Sequence, residues 1–128
     1  MYRQLGYGNQ ECQRTPKKVE ALADEVIVDV ACGESHTCVV TSKGSIFTWE
    51  SSGSMTGHGA GCVLLPRLLQ DLSSKGVGSV SANRYHTACV TKDGELFTWG
   101  YGEYGKLGHG DYYDQQTPSA LRHWWLVV

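Results

Sequence analysis

The sequence predicts an all-β chain of antiparallel four-stranded β-propeller blades, an incomplete ring of about two to three blades. Three observations carry that expectation. The chain repeats itself about every fifty residues, each period is spelled as short strands between tight-turn residues, and glycine is abundant at 16 of 128 residues while proline is scarce at 3. Glycine at that level without a collagen-like period implies many turns, and many turns in a short chain imply many short strands.

The repeat comes first because missing it miscasts everything else. His36-Thr37 recurs as His86-Thr87, Gly44 as Gly94, and Phe47-Thr48-Trp49 as Phe97-Thr98-Trp99, each 50 residues on. A second series runs Leu5-Gly6-Tyr7-Gly8, Gly57-His58-Gly59 and Leu107-Gly108-His109-Gly110. It steps by 51, and each copy is followed by a proline, Pro16, Pro66 and Pro118. There are three copies of the glycine motif and two of the His-Thr motif. Residues 1–128 therefore form a single region of repeats: a partial repeat over 1–44, a full one over 45–94, a partial one over 95–120 and an atypical tail over 121–128.

Within each period the elements follow in order. Residues 26–31 and 77–82 are runs of small and β-branched residues, a first strand. Residues 36–41 and 86–91 make a second, and residues 45–49 and 95–99 a third. The second and third are joined by hairpins at Lys43-Gly44 and Asp93-Gly94, the latter a type I′ signal because that turn needs positive φ at both central positions. No stretch is left for a crossover helix. The one helical alternative, residues 17–25, has good helix formers but no apolar stripe.

Bulk properties narrow the function. A net charge of −2 gives no basic footprint, and the only basic cluster, Arg14, Lys17 and Lys18, reads as solvated surface, so no direct nucleic-acid binding is expected. The five cysteines, Cys12, Cys32, Cys38, Cys62 and Cys89, are odd in number and lack C-x-x-C pairs, which suits a reducing, intracellular setting in cytoplasm or nucleus. No apolar run approaches a bilayer span and Met1-Tyr2-Arg3-Gln4 opens no signal-peptide pattern, so no membrane association is expected.

Candidate chemistry is sparse. The His-Thr pairs recur in every period, which marks a framework role rather than catalysis. Cys32, His36 and Cys38 crowd one hairpin, yet Cys-x3-His-x-Cys is not a common zinc spacing and supplies three ligands where a closed site needs four, so neither metal nor cofactor is expected. There is no phosphate-binding loop, nucleophile elbow or zinc-protease helix, and the chain is not expected to be an enzyme. His58 and His109 lie in turns where Tyr7 stands in the first copy. Trp49 and Trp99 end apolar strands and read as packing between blades. Tyr101, Tyr104, Tyr112 and Tyr113 surround the last glycine motif without basic partners and suit a protein-binding loop.

Leu-Gly-His-Gly, a later proline, Gly-x-x-His-Thr, then Asp-Gly-x-Leu-Phe-Thr-Trp-Gly together resemble the regulator of chromosome condensation repeat family, over about residues 4–120. The resemblance implies a seven-bladed propeller in which each sequence repeat spans parts of two blades. Such a ring closes near about 350 to 400 residues, so this chain resembles a fragment of about two and a half repeats. Gly33, His36, Thr37, Gly44, Trp49, His86, Thr87, Gly94, Trp99, Gly108 and Gly110 are its structural landmarks. Three departures stand out. Glu50 follows Trp49 where Gly100 follows Trp99, which predicts a distorted turn; Asn83 matches Gly33, which predicts positive φ there; and 121–128 is unlike either earlier repeat.

The resemblance also places the two residues between Gly and His-Thr on one face of the ring. Acidic and histidine residues there serve the exchange factor of the Ran-type GTPase, and tryptophans there serve a plant UV-B photoreceptor. Here they are Glu34-Ser35 and Arg84-Tyr85, with no tryptophan, which disfavours light sensing. The expected function is a non-catalytic protein-protein interaction module presenting Glu34, Ser35, Arg84, Tyr85, Tyr101, Tyr104 and Tyr112. Its partner would be a protein, a small GTPase or chromatin proteins among the candidates. The alternative is a guanine-nucleotide exchange factor for a Ran-type small GTPase. An incomplete ring also leaves edges and apolar faces open, which predicts self-association.

Overall fold

The computed structural model describes residues 6, 15–50, 57, 63–101, 107–108, 113 and 115–121. These form two four-stranded antiparallel sheets, each a simple up-and-down meander. The first blade contains β1 (Ile27–Cys32), β2 (His36–Thr41), β3 (Ile46–Glu50) and β4 (Val63–Leu68) in spatial order. The second contains β5 (Val77–Ala82), β6 (His86–Thr91), β7 (Leu96–Gly100) and β8 (Gln115–Ala120). The fold class is as the repeat predicts, two propeller blades side by side, with no closed ring among the described residues.

The first three strands of each blade lie where the β-branched runs place them, within a residue at each end. The fourth was not assigned from sequence, because it carries the prolines. Pro66 in β4 and Pro118 in β8 are tolerated since both strands pair on one side only, with β3 and β7. A proline there removes no ladder hydrogen bond that an inner strand would need. The helical alternative over 17–25 is not realised. Only Glu20–Leu22 forms a 3-10 turn, and Gln70–Leu72 forms its repeat partner. Each such turn buries one leucine, Leu22 or Leu72, and leads into the first strand of its blade, the second turn carrying the chain from the first blade to the next.

The hairpins differ in detail from the expected type I′ turn. Thr41 pairs N–H to the Ser45 carbonyl and the Gly44 N–H returns to the Thr41 carbonyl, so three residues, 42–44, form the loop. Gly44 sits at φ +83 and Gly94, in an identical bond pattern around Thr91 and Glu95, at φ +87. This is the three-residue loop with glycine in the left-handed region, in which only the last loop residue must be glycine. That is why Lys43 and Asp93 are both accepted before it. The threonine that starts each loop adds a side-chain bond: Thr41 Oγ1 accepts from the Ser45 N–H at 3.2 Å and Thr91 Oγ1 from the Glu95 N–H at 3.0 Å.

Both tryptophans are core residues, Trp99 between the two blades and Trp49 against the first blade alone among the described residues. Trp99 is fully buried between the blades with Cys38, Val40, Ile46, Leu69 and Val77. Burying an indole of that size contributes roughly 4 kcal/mol by area. Trp49 packs with Leu22, Val39 and Val63 on the far side of the first blade. The glycine motif belongs to these indoles. A Cβ on Gly6 would meet the Trp49 ring at 3.1 Å and one on Gly57 would meet Trp99 Nε1 at 3.1 Å, and both glycines have positive φ. The third copy, Gly108 at φ +77, is closed by Leu121. Thr98 ties this loop down, its hydroxyl donating to the Leu107 carbonyl at 2.8 Å. Gly110 and residues 122–128 lie outside the described residues, as do 51–56, where a distorted turn after Glu50 was expected.

Candidate functional site

The short connections between the first and second strands, residues 33–35 and 83–85, come out at the same end of neighbouring blades. Their tight geometry follows from the His-Thr motif. The Gly33 N–H donates to the His36 carbonyl at 2.8 Å and the Asn83 N–H to the His86 carbonyl at 2.9 Å. The expectation of positive φ at Gly33 is corrected here. Positive φ is found at other glycines, and glycine is required at 33 by proximity instead. A Cβ there would collide with the His36 imidazole and lie 2.6 Å from the Asn83 carbonyl. Asn83 carries its own Cβ because it is exposed.

His36 is the pin between the blades. Its ring is fully buried and Nε2 lies 2.9 Å from Thr87 Oγ1 of the next blade. Burial, with a smaller contribution from nearby His86, lowers its pKa to about 4, so the ring is neutral at physiological pH. The equivalent His86 is half-buried. In this contact the histidine of one repeat reaches the threonine of the following one. Thr37 and Thr87 are both buried on their strands.

Above this pin lies a cluster that the repeat assembles from two blades. Arg84 grips the Glu34 carboxylate with two nitrogens, Nε to Oε2 and Nη2 to Oε1, the latter at 2.9 Å. The pair is exposed, with side chains 64% and 42% accessible for Arg84 and Glu34. The Arg84 hydrogen bond holds the Glu34 carboxyl below its usual pKa, helped by the guanidinium charge and a bond from Tyr85. The guanidinium also lies 5.1 Å above the Tyr85 ring, whose centroid is 5.4 Å from that of Tyr101. The Tyr101 N–H donates to the Tyr85 carbonyl at 2.9 Å, which ties the end of β7 to the connection beside it. Carboxylate, guanidinium and two phenols therefore form one continuous patch across the blade boundary, the ion pair exposed and both tyrosines half-buried.

Ser35 is placed differently from the other three variable residues. It is buried, and its hydroxyl donates to Glu50 Oε2 at 3.3 Å. Glu50 is itself fully buried at the end of β3, where the second blade has Gly100 at φ +112. Tyr104 and Tyr112 lie outside the described residues, and Tyr113 is exposed. Sequence reading missed Asp29. Its carboxylate accepts the Val80 N–H at 3.0 Å, a second clamp from β1 of one blade to β5 of the next. The available signal was an acidic residue inside the run Val26-Ile27-Val28-Asp29-Val30.

Cys38 and Cys89 are buried thiols whose pKa burial raises, that of Cys89 to about 12, which removes nucleophilic character at neutral pH. Among the described residues no group of three or more His, Cys, Asp or Glu side chains converges as a metal site would require. Nor is any helix among them long and apolar enough to cross a membrane.

Paired blades pinned by a repeat-borne histidine, with their variable connections gathered at one end, define a propeller-type repeat protein. The regulator of chromosome condensation (RCC1) repeat model matches residues 1–40 and 93–123, more than half of the chain, and a second model of the same description matches 78–106. The chain belongs to the regulator of chromosome condensation repeat family. It is 44% identical to human protein RCC2 over 46 residues, 36% of this chain and 9% of that protein. It is 38% identical to the human E3 ubiquitin-protein ligase HERC2 over 116 residues, 91% of this chain and 1% of that protein. Prp20p of Saccharomyces cerevisiae, whose structure was described with its binding properties to Gsp1p and histones, superposes with a TM-score of 0.69 at 22% identity. The match covers 80% of this chain and 27% of Prp20p. The chain thus spans a small part of the relatives it matches.

Proposed function

We propose that this chain is a non-catalytic protein-interaction module of the repeat family, and that it meets its partner through the patch of Glu34, Arg84, Tyr85 and Tyr101. The observation that carries this reading is the composition of the patch. Arginine and tyrosine are the residue types that dominate binding energy at protein interfaces, and here they are held in place by one another before any partner arrives. Their backbone is rigid because both connections are closed by hydrogen bonds to His36 and His86. A patch ordered in advance loses little side-chain entropy on binding.

A second reading is exchange-factor activity in the longer protein for a Ran-type small GTPase, supported by the binding of Prp20p to Gsp1p and histones. The occupied state of Glu34 weighs toward the first reading, since its carboxylate already has Arg84 as bidentate partner. Calorimetric titration of the chain with a Ran-type GTPase and with core histones tests both. A genuine partner should lose about tenfold or more in affinity with Arg84→Ala or Tyr85→Ala, about 1.4 kcal/mol or more. Undiminished binding by both variants would remove the patch as the docking site. Accelerated release of a labelled nucleotide from the GTPase would favour exchange activity over simple docking.

A further inference from the structure

The first blade ends β3 on a residue that the second blade has no room for. Glu50 pairs with His36 as Gly100 pairs with His86. In the second blade the connection 83–85 lies directly against Gly100. A Cβ there would come within 2.5 Å of the Tyr85 carbonyl oxygen and 2.8 Å of His86 Cα, and Gly100 has φ +112. Strict repetition of that packing admits no side chain at position 50, so the first blade seats its own connection, residues 33–35, in another way.

The means is a buried side chain. Glu50 is 0% exposed and Ser35 8% exposed, and the Ser35 hydroxyl donates to Glu50 Oε2 at 3.3 Å. A carboxylate so deeply buried is costly to leave short of donors, which gives this bond a weight that an exposed pair would lack. Ser35 is the chain neighbour of Glu34, whose carboxylate takes two nitrogens of Arg84 across the blade boundary. At its other end the connection is closed by the Gly33 N–H, which donates to the His36 carbonyl. Glu34 is thus carried between two fixed points, one made by backbone and one by the Glu50 side chain.

We infer that Glu50 is a positioning residue of the docking patch: it fixes Ser35, and through Ser35 it aims the Glu34 carboxylate at Arg84. What the patch is for rests on the function proposed above; the chain of contacts from Glu50 to Arg84 stands apart from it. The departure from glycine at position 50 then makes the two connections unlike. The second presents Arg84 and Tyr85 from a backbone seated on Gly100, and the first presents one carboxylate steered by a buried side chain. Glutamine at position 50 keeps an acceptor for the Ser35 hydroxyl, and alanine does not.

A proton–nitrogen correlation spectrum of the full chain tests this without any partner, because the Arg84 Nε–H resonance reports its bond to Glu34. Glu34→Ala marks where that resonance lies once the bond is lost. Ser35→Ala and Glu50→Ala should each carry the Arg84 signal more than halfway to that position, while Glu50→Gln should leave it close to that of the unaltered chain. The Trp99 indole signal, from the core between the blades, should stay in place throughout and shows that the fold is intact. Should Glu50→Ala fail to fold, Ser35→Ala, which removes a single oxygen, decides. An Arg84 resonance unmoved by Ser35→Ala overturns the inference, and so does a folded Glu50→Gln that loses the bond. If binding to a Ran-type GTPase or to core histones survives Arg84→Ala while Ser35→Ala still moves the signal, the docking reading falls and the positioning role stands.

Discussion

At the scale of single residues, His36 does two jobs that pull on its charge in one direction. Its ring packs against Gly33 with no room for a Cβ, and it bonds Thr87 across the blade boundary. Both hold the imidazole in a buried place, and burial keeps it neutral. An unfolded histidine titrates near 6.5, while His36 in the fold titrates at about 4. Between these values the unfolded chain holds a proton that the folded chain does not, so stability rises with pH across that window. The contribution is whole above pH 6.5, is lost as pH falls toward 4, and changes no further below. Its full size is on the order of 3 kcal/mol at about 1.4 kcal/mol per pKa unit. Urea unfolding measured from pH 7.5 to 4 should show this decline, and His36→Gln should be less stable at neutral pH but lose most of the slope. A slope unchanged in that variant would assign it to other groups.

At the scale of elements, the two hairpins share a backbone and differ in surroundings, which separates turn strain from packing. Gly44 and Gly94 have nearly the same positive φ. A Cβ at Gly94 meets nothing within 4 Å, whereas one at Gly44 would lie 2.9 Å from Gly76 Cα, where the second blade begins. Gly94→Ala should therefore destabilise by about 1 to 2 kcal/mol, the strain of a left-handed alanine alone. Gly44→Ala should add a backbone collision and exceed it clearly. Chemical denaturation of the two variants decides this, and equal losses would mean that Gly76 yields without penalty. The same elements show why sequence reading succeeded where it did. Strands such as residues 86–91 and loops ending in glycine are local events, visible in six or seven residues. β4 and β8 were not, because Pro66 and Pro118 look like breakers until an edge position, a property of the sheet rather than of the segment, admits them.

At the scale of the whole molecule, what holds blade to blade was only partly legible. The spacing of 50 placed Glu34 and Arg84 at equivalent points, yet each was read as a separate docking residue. That adjacent blades bring equivalent points into bonding range is a consequence of three-dimensional stacking. Asp29 was missed for a related reason: its partner is the backbone N–H of Val80, which has no sequence signature. This bond shows how the blades are coupled. A stack of repeats has stability set by each unit and by the interface between neighbours, so weakening the interface alone should loosen cooperativity before it melts either sheet. Asp29→Ala removes the carboxylate and leaves the partly buried Val80 N–H without this acceptor, a loss of about 1 to 3 kcal/mol. Asp29 lies at the register shift of β1 against β2, so its removal disturbs the interface more than the strand ladder. Hydrogen exchange resolved by residue should then report a split. In the unaltered chain the amides of β2 and β6 should open with similar free energies, as one unit. In Asp29→Ala the β5 and β6 amides should lose protection while those of β2 and β3 keep most of theirs. Equal loss in both blades would show instead that the shared core around Trp99 couples them without help from Asp29.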